Sequence, residues 1–207
     1  MRSWLGKTWL RLNGWRIETE SPQHPKFVLI AAPHTSNWDL PYMLAASYVM
    51  DLPLSWMGKH TLFSPPFGWV LKAVGGIPID RRAKHNVVRW AIEQIQKSER
   101  LILVVPAKGT RGKADYWKSG FYHIALGAGV PIGMGYLDYG KKTCGIKGFI
   151  MPTGDVRADM DRIRAFYRDV EGKYPELGDV PRLREEDAPA AQSEAAPAPR
   201  TKAQNAS

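Results

Sequence analysis

Phe27-Val-Leu-Ile-Ala-Ala-Pro-His-Thr-Ser-Asn-Trp-Asp39 is the stretch whose reading decides the fold. Six consecutive apolar residues, with no polar alternation, read as a strand buried on both faces, as in parallel sheets covered by helices on each side. The turn-rich Ser21-Pro-Gln-His-Pro25 precedes it, and Pro33 to Asn37 closes it. Leu40 to Met50 then reads as a helix. Open α/β sheets place their ligands at such a strand-to-helix edge.

The same alternation continues outward. Asp51 to Met57 reads as a second strand, 62 to 74 as a helix opening near Pro65-Pro66, and Ile77-Pro-Ile79 as a short strand after Gly75-Gly76. A helix is predicted over Asn86 to Lys97, with Val87, Trp90, Ala91 and Ile95 on one face. Leu101 to Val105 is another buried strand, Phe121 to Leu126 a helix, and Val130 to Met134 and Lys147 to Met151 two further strands. Asp159 to Tyr174 closes the series as a helix with Met160, Ile163, Phe166 and Val170 inward. These elements predict an α/β fold: a single domain, 15 to 180, with a central, largely parallel sheet flanked by helices. Ahead of it, residues 1 to 14 hold a short amphipathic helix. Trp4, Leu5, Trp9 and Leu12 recur at helical spacing among Arg2, Lys7 and Arg11, and the helix either lies in a lipid interface or docks on the core. From 184 to 207 the chain turns Ala/Pro-rich and polar, and is expected to be disordered.

A net charge of +9, from 29 Lys and Arg against 20 Asp and Glu, favours a polyanionic partner. A nucleic-acid reading finds no recognition helix, zinc spacing or RNP-like aromatic motif, which leaves anionic lipid headgroups or a phosphorylated substrate. Eight tryptophans are many for 207 residues; most are expected in the core, although indoles also favour membrane interfaces. The single cysteine, Cys144, rules out an internal disulfide and any CxxC metal spacing, which fits a cytoplasmic protein. The N-terminal segment lacks a secretory signal's apolar core. Leu40 to Met57 is interrupted by Asp51, Pro53 and Ser55, so membrane contact is expected to be peripheral.

Three motifs carry chemistry. In His34-Thr-Ser-Asn-Trp-Asp39 one helical turn can return the carboxylate to the imidazole. The pair then fixes the ring's tautomer and leaves the other nitrogen as a general base for a substrate hydroxyl. The plainer reading makes Asp39 a helix-capping residue and His34 a loop histidine. Gly75-Gly-Ile-Pro-Ile-Asp-Arg81 delivers guanidiniums suited to phosphate, or is a surface turn. Pro106-Ala-Lys-Gly-Thr-Arg111, directly after a strand, looks like an anion cradle without the full P-loop pattern.

Together these blocks, with Val130-Pro-Ile132, resemble the glycerolipid acyltransferase family, which includes the 1-acylglycerol-3-phosphate acyltransferases. That family carries His-x-x-x-x-Asp, a Gly-rich segment ending in Arg, Pro-Glu-Gly-Thr-Arg, and Val-Pro-Ile in this order. The resemblance spans roughly 15 to 175. It implies transfer of a fatty acyl group from acyl-CoA or acyl carrier protein to the hydroxyl of a lysophospholipid such as 1-acylglycerol-3-phosphate. The site would be peripheral on the inner face of an anionic membrane, with no metal or cofactor beyond the co-substrate. It implies His34 as base and Asp39 as its orienting partner. Arg81 and Arg111 would hold the acceptor's phosphate, and Gly109 with Thr110 would shape the loop.

Lys108 stands where the family has Glu, and the proline lies one place earlier. Its side chain is expected to emerge beside His34, so that Lys108, Arg81 and Arg111 converge without an acidic partner. Lys108 then either repels Arg111 and impairs acceptor positioning, or serves as a phosphate ligand. The first is the reading adopted, so Lys108→Glu is expected to raise activity on a phosphate-bearing acceptor; the second predicts a fall. A different acceptor (a lyso-aminolipid or glycerol phosphate) and a non-catalytic lipid-binding variant remain open on the same fold.

Overall fold

The computed structural model describes residues 2–19, 22, 24–66, 68–79 and 84–187. Its centre is a seven-stranded sheet: β1 (Arg16–Ile17), β2 (Lys26–Ala32), β3 (Leu54–Lys59), β4 (Gly76–Ile79), β5 (Leu101–Val105), β6 (Ile132–Asp138) and β7 (Thr143–Ile150). The spatial order is β1-β7-β6-β2-β5-β3-β4. All neighbours pair parallel except β6 with β7. β2 lies between β6 and β5, with Val28 opposite Ile132 on one side and Leu103 on the other.

The continuous apolar run of β2 is explained by burial on both faces. Val28 and Ile30 point into one core with Leu103, Val105, Phe121, Met160 and Ile163. That core lies under α4 (Lys84–Lys97), α5 (Gly120–Ala128) and α6 (Val156–Tyr167). Phe27 and Leu29 point the other way, into a second core with Leu54, Trp56, Ile102 and Val104. Leu40, Met43 and Met50 of α2 (Asp39–Met50) and Leu71 of α3 (Gly68–Ala73) close over it.

α1 (Arg2–Leu12) docks on α2 through Leu10, which joins Trp15, Tyr42, Ala45 and Ala46 in a third cluster. The amphipathic stripe itself points outward: Trp4, Leu5, Trp9 and Leu12 are exposed. Docking and an unpartnered apolar face therefore coexist on one helix. The expectation that most tryptophans are core is corrected. Trp15, Trp56 and Trp117 are buried and Trp90 is partly covered, whereas Trp4, Trp9, Trp38 and Trp69 are exposed.

Several boundaries differ for local reasons. The helix read from 62 to 74 is the 3-10 turn His60–Phe63 followed by α3 from Gly68, because Pro65 and Pro66 supply no amide donors between them. α6 opens at Asp155, whose carboxylate accepts the amide of Ala158, and stops at Tyr167 rather than continuing to Tyr174. β1 is too short to show periodicity. The tail boundary at 184 is also corrected. Arg184–Asp187 forms a 3-10 turn, and Glu186 is buried with its Oε2 2.7 Å from Arg164 Nη1, so packed chain extends to 187. Residues 188–207 lie outside the described residues. Among the described residues no helix is long and apolar enough to cross a membrane.

Candidate active site

β2, β5 and β3 run parallel, so the loops at their carboxyl ends open on one edge of the sheet. The loop 33–38 leaves β2 there and turns directly into α2, whose first residue is Asp39. That turn brings His34 and Asp39 together: His34 Nδ1 lies 2.8 Å from Asp39 Oδ2. The same Oδ2 accepts the amide of Ser36 at 3.2 Å, so the carboxylate also organises its own loop. Asp39 is therefore the partner of His34 and the acceptor of a loop amide, while Trp38, the residue that caps α2, makes no side-chain capping bond.

Asp39 is only 6% exposed, and a buried carboxylate needs its lone pairs filled. A third donor completes the set: Tyr139 Oη donates to Asp39 Oδ1 at 2.9 Å. Tyr139 begins the turn between β6 and β7 and is clamped by Trp15 and Tyr42. Burial first, and the adjacent Asp39 second, push its phenol well above the ordinary tyrosine range, so it remains a donor. With Asp39 holding Nδ1, the tautomer with a proton on that nitrogen leaves Nε2 with a free lone pair.

The ring lines a cavity of about 360 Å³ that also receives Arg111 and Pro106. From that edge the cavity runs under α2 along the sheet, past Ala32 and Leu29 to Met50, Leu54 and Leu71. Leu29 to Ala32 alone covers roughly 10 Å at about 3.3 Å per residue. A polar edge with an imidazole and a guanidinium thus opens into a long apolar channel. Such a cavity suits a molecule with a charged head and a hydrocarbon tail.

The loop after β5 is tightly folded. Gly109 takes φ +71°, a left-handed conformation that glycine adopts freely, and its amide donates to Pro106 O at 3.0 Å. Thr110 is exposed and its Oγ1 accepts the Gly112 amide at 3.3 Å, a role internal to the loop. Arg111 is exposed and reaches the cavity wall. Arg81 lies outside the described residues; β4 ends two residues earlier, beside Lys59 at the carboxyl end of β3.

Lys108 contradicts its expected placement. It is 2% exposed, does not line the cavity, and sets its Nζ 2.7 Å from Asp179 Oδ2 while also donating to Leu177 O. The supposed convergence of cations without an acidic partner is therefore absent at Lys108. Its carboxylate partner comes from the segment after α6, which no local motif could reveal. The sequence reading also missed Tyr139, whose bond to Asp39 spans 100 residues.

With this geometry in place, the comparisons with known proteins are specific. The sequence model of the family described as Acyltransferase matches residues 16–133. The 1-acyl-sn-glycerol-3-phosphate acyltransferase of Haemophilus influenzae is 27% identical over 192 residues, covering 82% of this chain and 78% of that protein. The protein of the same name from Streptococcus pneumoniae is 32% identical over 113 residues, 54% of this chain and 41% of its own. For the Escherichia coli protein of that name the figures are 29% over 131 residues, 58% and 52%, so this chain spans about half its length. The crystal structure of the 1-acyl-sn-glycerophosphate (LPA) acyltransferase PlsC from Thermotoga maritima superposes with a TM-score of 0.57. At 19% identity over 81% of this chain and 75% of that one, it supports the fold.

Proposed function

We propose that this chain, which belongs to the acyltransferase family and is an O-acyltransferase, moves a fatty acyl group from a thioester donor to the hydroxyl of a lysophospholipid of the 1-acylglycerol-3-phosphate type. The donor is acyl-CoA or acyl carrier protein. The observation that carries this reading is the 2.8 Å contact of His34 with Asp39 on the wall of an apolar cavity that also receives Arg111.

In the reaction as proposed, His34 Nε2 takes the proton of the acceptor hydroxyl while its oxygen attacks the thioester carbonyl carbon. The imidazolium formed is stabilised by Asp39, itself held by Tyr139 and the Ser36 amide. Collapse of the tetrahedral intermediate breaks the C–S bond, and the thiolate recovers the proton from His34. The products are an ester and a free thiol, and atoms balance without a metal or redox group. Arg111 binds the acceptor phosphate through two guanidinium hydrogens, and Arg81 acts with it. Gly109 and Thr110 keep the loop in shape. The apolar channel receives hydrocarbon chain.

A phosphate-bearing acceptor is favoured over a lyso-aminolipid because Arg111 places a guanidinium on the cavity wall. Lys108 gives no support to an impaired variant, since its charge is matched by Asp179 away from the cavity. The exposed Trp4, Leu5, Leu12 and Trp69 favour peripheral attachment to an anionic membrane surface, from which a lipid acceptor would be drawn. The test is acyl transfer to a panel of lysophospholipids and glycerol phosphate, with each donor in turn. A phosphate-bearing lysolipid should be turned over fastest. Preference for an uncharged acceptor would refute the role of Arg111.

A further inference from the structure

The family match ends at residue 133, yet the chain continues in ordered form to 187. The part after α6 does not form another layer of the core. It crosses from one functional loop to the other.

Near its start it packs on the His34 loop. Tyr174 donates its amide to Thr35 Oγ1 at 3.2 Å, and Thr35 is buried directly beside His34. Gly172 lies so close that an added Cβ would sit 2.7 Å from Thr35 Oγ1. Lys173 holds its ammonium 5.6 Å from the ring centres of both Trp38 and Tyr139. Tyr139 is the residue that bonds Asp39.

Farther along, the same segment grips the loop that carries Arg111. Asp179 Oδ2 pairs with Lys108 Nζ and also accepts the amide of Ala114 at 3.1 Å, so one carboxylate pins both sides of Gly109 to Gly112. Leu177 O accepts a further hydrogen from Lys108. Beyond it, Trp117 donates its amide to Arg182 O at 2.7 Å, and Leu183 is fully buried. Arg164 of α6 holds Pro181 O at 3.0 Å. The pair of Lys108 and Asp179 is almost fully covered, with side chains 3% and 10% exposed. A buried charge left without its partner is strongly unfavourable, so the pair allows only a narrow range of loop positions.

We propose that residues 172–183 form a strap that sets the distance between the His34/Asp39 pair and Arg111, with Lys108 and Asp179 as its positioning residues. The proposal rests on the acyl-transfer reading above for what Arg111 holds. It also accounts for the lysine in the Gly-Thr-Arg loop: here that position faces the strap, where a cation meets Asp179.

Asp179→Asn tests it with two readouts. Hydrogen exchange at amides 107–114 should quicken by about tenfold or more, while β2 and β5 keep their protection. The acceptor KM should rise by roughly tenfold, with the donor KM within about twofold, because displacement of a positioning group by about an ångström has effects of that order or more. Introduced into an Arg111→Ala background, the same change should add nothing to the acceptor KM. Unchanged exchange overturns the strap as a positioning device. Faster exchange with an unchanged acceptor KM also overturns it, leaving a merely stabilising contact. If Asp179→Asn does not fold, the double variant Lys108→Met/Asp179→Leu removes both charges together. A raised acceptor KM there supports the proposal, and a normal one refutes it. Should the unmodified protein show no His34-dependent transfer, the reaction reading has failed, and exchange at 107–114 then tests only the hold of the strap on the loop: faster exchange supports that hold and unchanged exchange overturns it.

Discussion

Asp39 is a small buried acid with three donors on it, and that is where single substitutions report most. Tyr139→Phe removes the donor on Oδ1 while keeping the ring between Trp15 and Tyr42. A hydrogen bond to a charged group contributes about 1.5–3 kcal/mol, so turnover should fall by roughly tenfold to a hundredfold if that energy is expressed at the imidazolium. Steady-state kinetics on a protein with an unaltered near-UV spectrum would check this, and wild-type turnover would remove Tyr139 from the site. At Lys108 the structure reverses the sequence expectation. Lys108→Glu sets a second carboxylate against Asp179, and breaking a buried pair costs about 3–5 kcal/mol. Chemical unfolding should show a loss of that size with reduced activity, not the gain that repulsion of Arg111 would predict. The pairing of His34 with Asp39 was legible because five residues and one turn suffice to build it. The roles of Tyr139 and Lys108 were not, because each depends on a partner brought in by distant chain.

Elements were legible to the degree that burial imposes a pattern on them. β2 and β5 read directly as unbroken apolar runs since both faces are covered. β1 has two residues and carries no period, and the segment after α6 has polar contacts rather than a stripe, so the packed chain was ended too early. α1 showed the right period, but period alone does not say which face docks: Leu10 packs on α2 while Trp4, Leu5 and Leu12 stay exposed. Deleting residues 1 to 12 would therefore uncover Tyr42, Ala45 and Ala46 as well as remove the exposed aromatics. The cleaner test is the combined replacement of Trp4, Leu5 and Leu12 by serine, all on the uncovered face. Cosedimentation with anionic liposomes should drop severalfold, while the thermal midpoint shifts by no more than a few degrees. Retained liposome binding would assign the exposed aromatics another purpose.

For the molecule as a whole, buried phenols tie stability to alkaline pH. Burial, and then the Asp159 carboxylate, push Tyr122 up to about 12. Burial, and then the charge of Glu18, do the same for Tyr136. A folded-state value above the unfolded value of 10 means that folding favours the protonated form. This contribution is complete below pH 10 and is lost as pH rises from 10 towards 12. Denaturant midpoints should be flat on this account up to about pH 9.5 and fall steeply above it. A midpoint constant through pH 11.5 would contradict it. The sheet holds loops from β2 and β5 on one edge, above a channel of about 360 Å³, and acyl transfer is the activity that joins these parts. Its most direct test is acceptor-dependent release of free thiol from an acyl thioester, followed in wild-type protein and in His34→Ala at equal folded concentration. The account predicts a loss of about 10²–10⁴-fold in His34→Ala, the usual contribution of a general base. Release from His34→Ala at near the wild-type rate would contradict it.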